Sequence, residues 1–120
     1  MHPGKALCSN RIQLNTEQAA CMASLSSIAL SGMNAAQTTL NSSAHNIANM
    51  NTPGFRRQEV VQTAQAEGGV STSLTTAGSE GPSLVTDVVA QLQAKNSFLA
   101  NLAVFKTSDR IAGTLLNKSA

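Results

Sequence analysis

From Ala29 onward the apolar positions fall into a helical rhythm. Ala29, Met33, Ala36, Leu40, Ala44 and Ile47 follow one another at intervals of three or four residues, which sets them on one stripe of a helix. Asn34, Thr38, Asn41, Ser42 and His45 take the other side. Ser24, Ser26 and Ser27 are candidate N-caps, and Pro53-Gly54 cannot continue a helix. A helix is therefore expected over 26–49. Gly32 within it lacks a side chain, which lets a partner approach closely.

A longer run opens at Leu84 or Val85. Val88, Leu92, Lys95, Leu99, Leu102, Phe105, Asp109, Ala112 and Leu116 recur at heptad spacing, with Lys95 and Asp109 as polar interruptions. Thr86 and Asp87 put polar and acidic groups in the first turn, where the helix dipole favours them. The expected helix spans 84–117. Between the two helices, residues 55–65 are polar or β-branched and read as a short strand or extended arm. Residues 66–83 hold Gly68, Gly69, Gly78, Gly81 and Pro82 among many Ser and Thr, the pattern of a hairpin or mobile loop. The order predicts a mainly α protein. Its N- and C-terminal helices pair as an antiparallel coiled-coil hairpin, with a short extended or irregular connector projecting from one end.

Composition sharpens this picture. Apolar residues make up 42% of the 120, but 18 of them are Ala, and there are three Phe with no Trp or Tyr, so large core anchors are scarce. Such a chain suits packing against other chains better than forming a deep core alone. A net charge of +2, with Arg56-Arg57 as the one adjacent basic pair, makes no nucleic-acid footprint. No run of 18 apolar residues predicts a membrane span, and the first twenty residues lack the apolar stretch of a secretory signal.

Residues 1–21 show no periodicity and hold both cysteines, Cys8 and Cys21, too few for a disulfide scaffold. They read as an unstructured tail or an over-extended start, with Met22 as the alternative first residue. The remaining divisions are an N-terminal helical segment over 22–49, a turn, arm and loop over 50–83, and a C-terminal helical segment over 84–120.

Candidate chemistry is sparse. The acidic residues Glu17, Glu59, Glu67, Glu80, Asp87 and Asp109 form no carboxylate pair on one helix face. His45 has no nucleophile or second ligand beside it in sequence and reads as a polar helix-end residue. Gly68-Gly69 lacks the strand–glycine–helix context of a phosphate loop. The expectation is no catalytic residue, no metal, no cofactor and no small-molecule substrate.

The segment from Asn46 to Phe55 carries more. Asn49 tolerates left-handed backbone, Pro53 presets a turn, Gly54 supplies positive φ, and Phe55 can fold back on the helix. With Asn46 and Thr52 these form the candidate turn motif. The stretch Ala29-Leu30-Ser31-Gly32-Met33-Asn34-Ala35-Ala36-Gln37, continued by Ser43-Ala44-His45-Asn46-Ile47-Ala48-Asn49 and Asn51-Thr52-Pro53-Gly54-Phe55, resembles the N-terminal signature of bacterial flagellar axial proteins. That family includes the rod, hook and hook–filament junction proteins. Phe98-Leu99-Ala100-Asn101 with the run from Thr107 to Asn117 is similar to the family's C-terminal helix, with Phe98 where the family usually has Tyr. Residues 56–83 are short for the middle region of a hook or distal-rod protein, so the likeness is to a small rod-like member.

The resemblance implies a structural subunit of the basal-body rod. It would assemble with other axial proteins and with copies of itself, and reach the periplasmic basal body through the flagellar type III export apparatus without a cleaved signal peptide. A family start just before the first helix would fit Met22. The candidate assembly seam is Met33, Leu40, Ile47, Leu92, Leu99, Leu102 and Leu116. The alternative is a soluble adaptor or regulator that binds flagellar axial or export components.

Overall fold

A computed structural model describes residues 14–119. Helix α1 runs from Leu14 to Ala48, strand β1 from Gln58 to Ala64, strand β2 from Val70 to Thr76, and helix α2 from Leu84 to Ser119. The first helix is longer than its expected 26–49. No Gly or Pro interrupts the chain between Leu14 and Ser31, and Ala19, Ala20 and Ala23 favour helix, so Ser24, Ser26 and Ser27 lie inside α1 instead of capping it. Of the segment expected as a tail, residues 1–13 lie outside the described residues, and 14–21 are helical.

The two helices lie antiparallel. Ser26 Oγ meets Ser108 Oγ at 2.8 Å, Gly32 faces Asn101, and Asn46 Nδ2 donates to Asp87 Oδ1 at 3.2 Å. Residue numbers thus fall along one helix as they rise along the other, as the hairpin reading requires. A Cβ on Gly32 would come within 2.6 Å of Asn101, so the glycine sets how closely the helices approach. Among the described residues, the buried apolar set is Ala29, Met33, Ala35, Ala36 and Ala94. Small side chains, with one methionine, make the helix interface.

The connector is a two-stranded antiparallel hairpin in which Gln58 pairs with Thr76 and Ala64 with Val70. It does not project from one end. It folds back along α1, where Ser42 and Asn46 hold its first residue and Ser31 meets its far end at Val70. The expected projection failed because the buried side chain of Asn46 turns back to bind the strand. The molecule is flat and long, 62 × 33 × 16 Å, with a radius of gyration of 19.1 Å against about 14 Å for a compact chain of this length.

Candidate functional site

At the junction of the two helices and the hairpin, a polar cluster takes the place of an apolar core. Asn46, only 3% exposed near the end of α1, donates through Nδ2 to the Gln58 carbonyl at 2.9 Å and accepts from the Gln58 amide at 2.7 Å. One side chain thereby satisfies both backbone groups of the first β1 residue, as a neighbouring strand would. Ser42 adds a second donor to the same carbonyl at 3.1 Å.

From the other helix comes Asp87, also 3% exposed. Its carboxylate accepts from Asn46 and from Arg57 in a two-pronged contact, Nη2 to Oδ1 at 2.5 Å and Nε to Oδ2 at 3.3 Å. The hydrogen bonds it donates to Asp87 raise the Arg57 guanidinium above its usual pKa, against the lowering effect of burial. A buried carboxylate is tolerable because it is paired and fully hydrogen-bonded. Its place in the first turn of α2 adds the favourable helix dipole. The cluster locks α1, α2 and the base of the hairpin together.

The turn between α1 and β1 is closed by local hydrogen bonds. Asn49 donates from both its amide and its side chain to the His45 carbonyl, at 3.1 and 2.9 Å, ending the helix. The Thr52 amide donates to the Asn49 carbonyl at 2.9 Å, and the Phe55 amide to the Thr52 carbonyl at 3.2 Å. Gly54 sits at φ +71°, a left-handed conformation that disfavours any residue with a Cβ. Phe55 does fold back: its ring lies 5.6 Å from that of His45. Thr52, Pro53 and Gly54 are exposed, so in this motif it is Asn46 that is buried.

The seam candidates divide. Met33 is buried at 8% exposure between the helices, and Ile47 and Leu102 are half-buried. Leu92, Leu99 and Leu116 are 57%, 50% and 71% exposed, and Leu40 lies at the surface with them. The structure brings Leu40 and Leu99 together, along with Ala36, Ala94 and Phe98, around a shallow apolar groove of about 260 Å³. Val85, Val88, Val89, Leu92 and Leu99 form an outward row on α2. Large aliphatic side chains point away from a helix interface built from alanines.

Residues 27–56 match the family model described as flagella basal body rod protein. The match supports the flagellar rod family. It covers α1 from residue 27 to its end and the turn as far as Arg56, including Gly32, Asn46 and Gly54. No curated protein matches the chain. The match ends at Arg56, so the C-terminal likeness over Phe98–Asn117 rests on the sequence pattern alone.

Arg57 lies one residue beyond the rod-family match, and neither it nor Asp87 stood out in the sequence as a site residue. Asp87 drew notice only as a first-turn acid. Its partner lies 30 positions away, a pairing that no local spacing signals. Among the described residues, no group of three His, Cys, Asp or Glu is placed to hold a metal ion. No described helix is long and apolar enough to cross a membrane.

Proposed function

We propose that this chain is a structural subunit of the flagellar rod that assembles through its two terminal helices with other axial proteins and with copies of itself. The observation that carries the reading is the outward aliphatic row of α2. Exposed aliphatic side chains gathered on one helix face suit an interaction site, and burying them contributes about 25 cal/mol per Å². The rod-family match on α1 supplies the setting. In this reading the subunit passes through the flagellar type III export apparatus without a cleaved signal peptide. It takes its place in the periplasmic part of the basal body and has no catalytic activity.

The seam would combine Leu40 of α1 with Leu92, Leu99 and Leu116 of α2 at the surface. Met33, Ile47 and Leu102 would hold the subunit's own helices in place beneath them. Isolation of basal bodies from cells carrying a tagged chain tests the reading. A structural subunit co-purifies with the rod in fixed ratio to the other axial proteins. A chain left in the soluble fraction, bound to an axial or export component, would instead establish the adaptor.

A further inference from the structure

The two ends of the β-hairpin are held to α1 by unequal means. At the base, the Gln58 amide and carbonyl both bond to buried Asn46, Ser42 adds to the carbonyl, and the preceding Arg57 is tied to buried Asp87 on α2. The Arg57 carbonyl in turn accepts from the Ala77 amide at 2.8 Å, which joins the two legs of the hairpin. Halfway along, the link is the exposed contact from Gln62 Nε2 to Thr39 Oγ1 at 3.4 Å.

At the tip, the Val70 amide donates to Ser31 Oγ at 3.2 Å, while the Ser31 hydroxyl donates to the Ile28 carbonyl at 2.7 Å. Gly68 and Gly69 rest there against Ile28 and Ser31 without side chains of their own. Between tip and base the hairpin arches over a cavity of about 460 Å³ lined by Gly32, Ala35, Ala36, Ala94 and Asn101.

We propose that the hairpin is a hinged strap: its base is latched by the Asn46–Gln58 and Arg57–Asp87 contacts, and its tip lifts from α1 while the two strands stay paired. A neutral hydrogen bond to a half-exposed hydroxyl holds the tip, whereas charge-assisted and buried bonds hold the base. Local opening follows the weaker contact set. Lifting the tip uncovers the cavity beside Gly32 and re-aims the arm without unfolding either helix. The device does not depend on the assembly reading and can be tested in the isolated chain.

Residue-resolved amide hydrogen exchange reads it directly, because the amides of Gln58 and Val70 each donate to α1 and so report docking at the two ends. The expected result is exchange at Val70 at least tenfold faster than at Gln58, after correction for intrinsic rates. Ser31→Ala should speed Val70 several-fold further and leave Gln58 unchanged, and Asp87→Asn should speed Gln58. Equal corrected rates at the two amides, rising together in Ser31→Ala, would show that the hairpin docks and leaves as one unit and would overturn the strap. Slower exchange at Val70 than at Gln58 would overturn it too.

Discussion

The two helices are close in length, 35 and 36 residues, but they are used differently. Helix α1 lies between α2 and the hairpin and buries Ala29, Met33, Ala35, Ala36, Ser42, Ser43 and Asn46. Helix α2 touches one helix and buries Asp87, Ala94 and Ser108, leaving Val85, Leu92, Leu99 and Leu116 at the surface. One helix organises the fold; the other presents its apolar side chains outward. The contrast teaches that the missing core is more than the scarcity of aromatics noted in the composition: it also concerns where the large aliphatic residues point. Many of these side chains turn away from the chain's own interior, which alanine and polar contacts fill.

The sharpest way to break that contrast is at the one place where α2 contributes a buried charge. Asp87→Ala would leave Arg57 without its carboxylate and take one of the two acceptors from Asn46. It should destabilise the hairpin base by about 3 kcal/mol, measured by urea unfolding of the chain. Met33→Ala comes next, since it empties the largest buried side chain of the helix interface and should cost about 2–3 kcal/mol in the same assay. If either change cost no more than a surface substitution, α1 would not be the organising helix.

Gly54→Val is a smaller perturbation of another kind. At φ +71° a β-branched residue costs about 1 kcal/mol or more, although a Cβ there meets open space, so the strain is purely in the backbone. Helix content by circular dichroism should hold while incorporation into basal bodies falls. Thr38→Ser is the near-silent end of the series. The hydroxyl keeps its 2.9 Å bond to the Asn34 carbonyl, and stability should stay within about 0.5 kcal/mol.

Much of the fold was legible because it rests on periodicity. The intervals from Ala29 to Ile47 and from Val88 to Leu116 mark two helices, and Pro53-Gly54 ends the first where the structure does. The face each helix turns inward was harder to read. Heptad reasoning ranks leucine first, and Leu92 and Leu99 do share a stripe. The stripe that meets α1 instead runs through Asp87, Ala94, Asn101 and Ser108, whose size and polarity give no such signal. The direction of the hairpin was illegible for a related reason. It is decided by Asn46 binding Gln58 across 12 positions, a contact that depends on the turn having already formed. Gly54, whose role is local, could be read from its neighbours alone.

The proposed assembly surface is the outward row of α2. Recovery of the double variant Leu92→Ser/Leu99→Ser in purified basal bodies, relative to the unsubstituted chain in the same deletion background, tests it most directly. Because both residues are half or more exposed, the variant should keep the urea midpoint of the parent while its recovery with the rod drops at least tenfold. Recovery equal to that of the parent would show that the row is not an assembly surface.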